Sequence, residues 1–459
     1  MSDELSEVDI NVPELETHEY SDIIECCLEL FYDYYTNNIH NIKYPEFHDC
    51  MNESVSELLM LTIEELYLYD YEIDEIHDIV SSCEKIFYSS YYDLVKRCDG
   101  STFPTTVDNN HVKKQLSYLR KLYQPEQRTT DWYKYRYNLI TASNAYKAID
   151  NESNKNSIIL EKCKPLVIHD DNDKMVNVES PLHWGQKYEP LSVIIYESLY
   201  NTTIEDFGCI QHNNYTFIGA SPDGINSDPK SSRYGRMLEI KNIVNREIDG
   251  IPKLEYWVQM QLQMEVCNLN ECDFLETRFI EFDNENDFYQ DQDKEENSNH
   301  TELDYHVILY FHDNITNKPL YIYKPLDVCT KKSIQEWECK LMDDKTNEGL
   351  IWIRNIYVKL DQLSCVLVQR NKLWFNSIVS EMTEVWNTIE YEREHGTPEY
   401  RLKNKRQSIK DVICKSECLI KINKIDDDEI SDSITNNTFI DIDIPVVDTI
   451  TIKDRKMSI

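Results

Sequence analysis

Apolar side chains recur at helical spacing through the first hundred residues. Residues 21–35 begin with a serine, a favoured N-cap residue, and then repeat apolar positions every three or four residues: Ile24, Cys27, Leu28 and Phe31. Residues 53–69 and 73–92 show the same spacing, and the polar stretch 99–110 ends it. The pattern predicts a small helical domain over residues 1–110.

From residue 111 to about residue 280, helical patterns alternate with strand patterns. Residues 216–220 and 237–244 are short apolar runs typical of strands. Residues 182–200 predict a helix with an apolar stripe that comprises Trp184, Tyr188, Leu191, Ile195 and Leu199. This mixture predicts an α/β (α+β) core, in which a mixed central sheet is flanked by helices.

Beyond residue 280 the chain mixes polar runs with further strand signals. Residues 281–300 are acidic and polar, which predicts an exposed loop or a disordered insertion. Residues 305–311 and 320–323 flank a turn-forming segment and predict a hairpin. Residues 351–361 read as a strand and residues 374–391 as a helix.

The tail after residue 400 contains a basic cluster (Arg401, Lys403, Lys405 and Arg406), an acidic run (426–429) and alternating β-prone residues.

These patterns together divide the chain into five segments. They are an acidic helical domain (1–110), an α/β core (111–282), an acidic loop with a β-containing insertion (283–350), a closing strand and helix of the core (351–400) and a β-containing C-terminal extension (401–459).

Charge is unevenly distributed along the chain. The formal net charge is −37, which by itself argues against a polyanionic partner. Residues 1–110 contain 26 Asp/Glu and 4 Lys/Arg, whereas residues 111–149 contain 8 Lys/Arg and 2 Asp/Glu. Because salt screens charge effects beyond about 10 Å at about 0.1 M, the basic stretch leaves room for a nucleic-acid groove.

The 14 cysteines show no spacing that predicts a metal cluster. No C-x-x-C motif occurs, Cys26 and Cys27 are adjacent, and Cys414 and Cys418 are four apart. The first 20 residues are acidic and polar, and no apolar run approaches the roughly 20 residues that cross a bilayer. We expect a soluble, intracellular protein with mostly free, buried cysteines and no membrane partner.

Two short motifs carry the candidate chemistry. A Ser-Pro-Asp-Gly turn presents Asp223 at the end of a predicted strand. A Leu-Glu-Ile-Lys sequence lies in the next predicted strand, where alternation puts Glu239 and Lys241 on one face. Leu238 and Ile240 then point the other way, toward a core.

These residue types fit metal-assisted hydrolysis of a phosphodiester. Mg²⁺ and Mn²⁺ prefer hard oxygen ligands, which the carboxylates and the Ile240 carbonyl supply. A bound metal activates water, and Lys241 beside it can orient that water or stabilise charge on the phosphate. Each motif alone also occurs without this chemistry, because Pro-Asp-Gly is a frequent turn and Glu-x-Lys a frequent solvated cross-strand pair.

The order of the flanking motifs strengthens the case. They are residues 127–149, a Trp-Gly-Gln-Lys-Tyr-Glu sequence ending at Glu189, the Asp223 turn, the Glu239 strand and a Tyr-Trp-Val-Gln-Met-Gln sequence ending at Gln261. The series resembles the λ-exonuclease/YqaJ family of viral recombination nucleases, a branch of the PD-(D/E)XK superfamily. The resemblance covers roughly residues 115–280 and resumes at about 365–395. It implies a restriction-endonuclease-like core and an origin in a large DNA virus.

The resemblance implies a role for each of several individual residues. Asp223, Glu239 and the Ile240 carbonyl match metal ligands, and Lys241 matches the catalytic lysine. Glu189 matches a helix glutamate that reaches the metal site. The alternative for Glu189 is an ordinary surface glutamate of its helix.

Four further residues match positions near the DNA. Arg136 and Ser143 match residues that hold the 5′ phosphate or the DNA backbone. Thr141 and Ser143 are expected to cap a helix that begins near Asn144, whose N-terminus favours anions; simple capping is the alternative. Gln259 matches the family's helix glutamine near the site, or else lies on a solvated face, while Gln261 points to nearly the opposite side.

Two departures accompany the match. Some relatives carry an extra carboxylate before the Pro-Asp-Gly turn, but residues 211–215 contain none, so the number of metals stays open. The related CRISPR-associated adaptation nucleases bind a cysteine-ligated iron–sulfur cluster. The cysteine spacing here predicts no such cluster.

The prediction is a Mg²⁺- or Mn²⁺-dependent DNA nuclease, favoured as an exonuclease on double-stranded ends in recombination, repair or defence. The alternatives are an endonuclease and a catalytically silent DNA-end-binding scaffold. The resemblance also implies a homo-oligomer, either a dimer or a trimer. The acidic N-terminal domain could bind a protein partner, and a viral chain is expected in the host cytoplasm or the virion.

Overall fold

The computed structural model describes residues 17–67, 73–90, 109–166 (without 126 and 128), 177–295 (without 179) and 303–402. The polar stretch 99–108 and the tail from Lys403 onward, with its basic, acidic and β-prone segments, lie outside the described residues. No helix in the described ranges is both long and apolar enough to cross a membrane.

The helices of the described residues follow the chain in this order: α1 (Thr17–Asn37), α2 (Phe47–Tyr67), α3 (Ile73–Ser90), α4 (Asn109–Leu119), α5 (Thr130–Tyr137), α6 (Ala142–Ile149), α7 (Glu152–Cys163), α8 (Pro181–Tyr200), α9 (Leu254–Cys267), α10 (Glu285–Glu295), α11 (Lys331–Asn347), α12 (Lys372–His395) and α13 (Glu399–Leu402). A 3₁₀ turn (Ile39–Lys43) joins α1 to α2. The three N-terminal helices lie where helical spacing predicts them.

The strands are β1 (Ile140–Thr141), β2 (Ile204–Glu205), β3 (Ile210–Gln211), β4 (Ile218–Ala220), β5 (Gly224–Asn226), β6 (Met237–Asn242), β7 (Glu271–Phe282), β8 (Tyr305–Asp313), β9 (Lys318–Tyr323) and β10 (Ile351–Gln369). A seven-stranded sheet has the order β2-β5-β6-β7-β10-β8-β9, and a three-stranded sheet has the order β1-β4-β3. Within the larger sheet β6 and β7 are parallel and the other pairs antiparallel. The predicted α/β class with a mixed sheet is confirmed.

Helices cover both faces of the sheet at β6, because its side chains alternate between two apolar layers. Leu238 and Ile240 pack against Tyr196 of α8, as alternation predicts. Met237 faces the opposite layer, which contains Trp257 of α9. The strand is thereby fixed from both sides, and so are the positions of its two charged residues, Glu239 and Lys241.

The N-terminal helices share the apolar core of the sheet region. Residues of α1, α2 and α3 belong to the same buried cluster as residues of α9 and α12. Tyr35 is fully buried, and its hydroxyl accepts a hydrogen bond of 3.2 Å from the side-chain amide of Asn371, at the start of α12. The proposed boundary at residue 110 stays a prediction, and this packing argues for a shared core.

The insertion after β7 is better ordered than its composition predicts. The predicted loop or disordered insertion over residues 281–300 is wrong for α10, which presents Phe288 and Tyr289 to a core formed with β8, β10 and α11. The predicted hairpin is confirmed by the antiparallel pair β8 and β9. The strand predicted over residues 351–361 and the helix predicted over residues 374–391 are confirmed, as β10 and α12.

The apolar stripe of α8 is correct except at its end. Tyr188, Leu191 and Ile195 are buried against the sheet, and Trp184 packs beside them. Leu199 is 44% exposed, because it lies in the last turn of the helix, beyond the layer that Tyr188 and Ile195 contact.

Candidate active site

The turn between β4 and β5 fixes Asp223 beside β6. Its Oδ2 accepts a hydrogen bond of 2.7 Å from the backbone N–H of Ile240. Gly224 pairs with Leu238, and a Cβ atom added at Gly224 would overlap the side chain of Ile204 on β2. A glycine is therefore required here by close packing between strands, which brings Asp223 against the backbone of β6.

Glu239 is a fully buried carboxylate with both oxygens engaged. Oε1 forms an ion pair with Lys241 Nζ, two residues along the same strand face. Oε2 accepts a hydrogen bond of 2.7 Å from Nε2 of Gln263, which also donates to the carbonyl of Ser221 at 3.2 Å. The Asp223 turn and the Glu239 strand are thus tied together through one glutamine of α9.

The electrostatics of the site favour an added cation. Burial, together with the negative charges of Glu239 and Glu189, raises the pKa of Asp223 well above its usual range. Burial alone would lower the pKa of Lys241, but the carboxylates of Glu239 and Asp223 outweigh it, so its pKa is raised and the amine stays charged. Lys241 is therefore the cation that balances Glu239 and Asp223, and Glu189 adds further negative charge near Asp223.

This donor set fits Mg²⁺ or Mn²⁺, since it consists of hard carboxylate oxygens whose mutual repulsion a divalent ion would relieve. Among the described residues, no three His, Cys, Asp or Glu side chains already converge as a metal site. Asp223 and Glu239 instead bond to the Ile240 N–H, Lys241 and Gln263. A carboxylate oxygen that accepts one hydrogen bond keeps a lone pair that can bind a cation, so these bonds can orient the ligands without blocking them.

Glu189 lies on α8, exposed to solvent but close enough to raise the pKa of Asp223 through its charge. The helix is attached to the strand ends by Asn242, whose side-chain amide donates to the Gly185 carbonyl at 3.2 Å. The Asn242 oxygen accepts from Ser192 and Thr277, each at 2.8 Å. A Cβ atom added at Gly185 would meet no other atom within 4 Å. The contact between Asn242 and the Gly185 carbonyl therefore does not depend on the residue being a glycine.

Arg136 lies at the end of α5 and reaches toward the start of α6. Its guanidinium is 3.4 Å from Thr141 Oγ1 and 3.5 Å from Ser143 Oγ, and it lies over the ring of Trp132. The structure brings these predicted phosphate contacts together. The helix begins at Ala142, earlier than the predicted Asn144, and its N-cap Thr141 makes no side-chain capping bond. The hydroxyl groups are therefore turned toward Arg136.

The helix glutamine that contacts the carboxylates is Gln263, one turn after the predicted Gln259. Gln259 is partly buried, and its side chain makes no hydrogen bond to the carboxylates within the described part of the chain. Gln261 lies on another face, where its side chain bonds to the Gln369 carbonyl (2.8 Å) and the Asn371 N–H (2.6 Å). The i,i+4 spacing from Gln259 is the sequence signal that points to Gln263.

Two more residues beside Lys241 had no sequence signal. Glu276 of β7 is fully buried directly across from Lys241 in the parallel pair. It forms an ion pair with Arg246, yet burial still raises its pKa. Arg246 also lies near the ring of Tyr256, which Lys241 contacts at 4.9 Å.

A series of neighbouring residues leads from Arg136 toward Glu239. Burial raises the pKa of the Cys209 thiol, and the neighbouring charge of Arg136 acts in the opposite direction. Ser221 is a further neighbour of this thiol. The Ser221 carbonyl in turn accepts the hydrogen bond from Gln263 that leads to Glu239. A group bound at Arg136 would therefore lie within a few side chains of the carboxylates.

Comparison with known proteins supports the family suggested by the motifs. Residues 131–270 match the YqaJ-like viral recombinase domain. An uncharacterized protein of Acanthamoeba polyphaga mimivirus is 28% identical over 347 residues, which is 69% of this chain and 62% of that protein. The resemblance to the λ-exonuclease/YqaJ family and to proteins of large DNA viruses is confirmed.

Among solved structures, an alkaline exonuclease from Laribacter hongkongensis matches with 18% identity and a TM-score of 0.34. The match covers 61% of this chain and 99% of that one. The same exonuclease in complex with dAMP matches with 17% identity and a TM-score of 0.33, over 61% of this chain and 99% of that one.

Proposed function

We propose that this chain is a divalent-metal-dependent DNA nuclease whose reaction takes place at Asp223, Glu239 and Lys241. The observation that carries the proposal is the convergence of these three side chains, from a turn and a neighbouring strand. The match of residues 131–270 to a viral recombinase domain supports it.

Asp223, Glu239, the Ile240 carbonyl and Glu189 are the proposed ligands for Mg²⁺ or Mn²⁺. When bound, the metal would lower the pKa of water and offset charge on the scissile phosphate. Gln263 holds Glu239 in place through its 2.7 Å hydrogen bond. The Ile240 N–H holds Asp223 in the same way, so both carboxylates are oriented before substrate arrives.

Lys241 and the residues around Arg136 have separate tasks in this proposal. The charged amine of Lys241 orients the attacking water or stabilises the negative phosphate oxygens. Arg136, Thr141 and Ser143 offer one guanidinium and two hydroxyls that can hold a phosphate of the DNA end. Gln259, one turn from Gln263, remains a proposed DNA contact.

The substrate we propose is the end of double-stranded DNA, and the favoured mode is exonucleolytic, in recombination, repair or defence. Two other functions use the same residues: endonucleolytic cleavage, and DNA-end binding without turnover. Covalently closed circular DNA separates the modes, because a strict exonuclease leaves it intact. Binding of linear DNA without products in Mg²⁺ and in Mn²⁺ would indicate the silent scaffold.

Asp223→Asn and Glu239→Gln test the site. We expect each to lower the rate of linear-duplex digestion by at least about 100-fold, because the metal loses a charged ligand that the reaction requires. Affinity for DNA should change far less. The matched control is Glu336→Gln, on exposed α11; if Asp223→Asn cleaves as fast as this control, the assignment of the site is wrong.

Assembly and cofactor content follow the same proposal. The predicted dimer or trimer is testable by sedimentation of the chain with and without linear duplex. The predicted lack of an iron–sulfur cluster is testable by iron analysis of the purified protein, where stoichiometric iron would contradict it.

A further inference from the structure

Lys162 is a buried lysine next to the proposed phosphate contacts. It lies on α7 and is 6% exposed. Its Nζ donates a hydrogen bond of 3.0 Å to the backbone carbonyl of Arg136, while the Arg136 guanidinium turns toward Thr141 and Ser143. The lysine therefore contacts the backbone of the residue whose side chain is proposed to hold phosphate.

A second buried interaction stabilises the same corner. Arg393 of α12 donates to the Lys162 carbonyl at 2.9 Å and to the Tyr137 carbonyl at 2.8 Å. The carbonyl groups at the end of α5 are thus held by two cations from two different helices, as the negative end of a helix dipole favours.

Positive charge at this corner exceeds the negative charge that faces it. In the described part of the chain, no carboxylate forms an ion pair with Lys162; the carboxylate that most raises its pKa is Glu161, on the same helix. Glu161 is shared with Lys147, at 3.6 Å. A buried cation without a compensating charge destabilises the folded protein. An anionic ligand bound at this corner would supply the compensating charge.

We propose that Lys162 is a positioning residue for a terminal 5′ phosphate: it fixes the end of α5 so that Arg136 faces the ligand, and its charge adds to that of the Arg136 guanidinium at this corner. The inference rests on the proposed function, and it adds a further positioning residue to the phosphate contacts proposed at Arg136. It also predicts that recognition depends on pH.

The dependence on pH follows from the surroundings of the amine. Burial lowers the pKa of Lys162 to about 8. The groups that face it are Glu161 on α7, Arg136 on α5, Arg393 on α12 and Cys209 before β3. Carboxylates and guanidinium groups keep their charge between about pH 7 and pH 9, and burial raises the pKa of the Cys209 thiol. The lysine is therefore charged below about pH 8 and neutral above it.

The experiment measures dissociation constants for short duplexes with 5′-phosphate and 5′-hydroxyl ends, in Ca²⁺ without turnover, across this pH range. We expect wild type to prefer the phosphorylated end by roughly tenfold at low pH and to lose much of that preference as pH rises through about 8. Lys162→Met should show a small, flat preference. Lys162→Arg should show a high, flat one, because arginine keeps its charge.

Several outcomes would overturn the inference. One is a Lys162→Met variant that weakens both ends equally, as a purely structural cap would. Another is a Lys162→Arg variant whose preference falls with pH as in wild type, a comparison that decides the matter even if Lys162→Met does not fold. Cys209→Ala separates the lysine from the thiol: a flat profile in that variant would assign the titration to the thiol and overturn the inference.

Binding without turnover separates this inference from the proposed function. A protein that prefers 5′ phosphate through Lys162 but cuts no DNA contradicts the nuclease proposal alone. A protein that digests DNA and ignores the 5′ group contradicts the role of Lys162 alone.

Discussion

Glu239 illustrates how a single carboxylate can be fixed before any metal arrives. It is fully buried, and its two oxygens bond to Lys241 and Gln263. A buried carboxylate with one oxygen left unpaired costs roughly 1–3 kcal/mol or more, so both partners stabilise its position. The spacing of the sequence motif predicts Glu239 and Lys241, whereas the third partner comes from a helix that only the fold brings into contact.

Gln263 is expected to matter for catalysis through Glu239. We predict that Gln263→Ala lowers the rate of DNA cleavage by roughly 10–100-fold, a typical effect of removing a residue that orients a metal ligand. The measurement is the rate of linear-duplex digestion as a function of Mg²⁺ concentration, in which the variant should require more metal.

Gln259→Ala is the informative comparison, because the two glutamines lie one turn apart on α9. The structure gives Gln263 the contact with Glu239, while the family resemblance gives Gln259 a DNA contact. A Gln259 variant that changes metal dependence more than the Gln263 variant would mean that the wrong glutamine has been linked to Glu239.

At the scale of elements, the sequence predicts most of the helices and strands but not α10. Residues 281–300 contain so many acidic and amide side chains that composition indicates a loop. Phe288 and Tyr289 are its buried anchors. Their core is made by β8, the next element of the chain, and by α11 and β10, which follow later in the sequence. A local pattern with two adjacent apolar residues shows no helical period, so tertiary packing alone decides this segment.

Phe288→Ala tests whether α10 is anchored in this way. Phe288 is fully buried, so we expect the free energy of unfolding to fall by about 3–5 kcal/mol, as for other buried phenylalanines. Chemical denaturation measures the loss. Gln290→Ala, an exposed position on the same helix, should change the free energy of unfolding by less than about 0.5 kcal/mol; equal effects of the two changes would contradict the anchoring.

At the scale of the whole molecule, a chain with net charge −37 must admit a polyanion to its proposed site. The basic stretch 111–149 supplies α4, α5 and α6, and Arg136 with them. The acidic helices α1 to α3 pack into the same apolar cluster as the sheet region. Their charge is therefore a fixed part of the field that approaching DNA meets, within the limit that salt screening sets.

Neutralising Asp22, Glu25 and Glu29, which are exposed on α1, should tighten DNA binding if this field restrains access. We expect about a threefold lower dissociation constant at low salt, and a difference that vanishes as salt rises. Titrations of duplex DNA at several salt concentrations provide the measurement.

The control carries the same number of neutralised charges on α11, at Glu336, Asp343 and Asp344, all exposed. If both triple variants bind equally tightly, total charge and not the position of the N-terminal helices determines the effect. If neither differs from wild type, the restraint is absent.

The buried hydrogen bond between Tyr35 and Asn371 joins residues 336 positions apart. During translation at about 5–20 residues per second, roughly 20–70 s separate the synthesis of these two partners. During that interval the apolar faces of α1, α2 and α3 cannot yet pack against α12. The nascent chain must therefore stay soluble with these faces uncovered, or a chaperone must cover them. The outer faces of these helices carry a high negative charge. The resulting repulsion limits association between nascent chains on the same polysome during this interval.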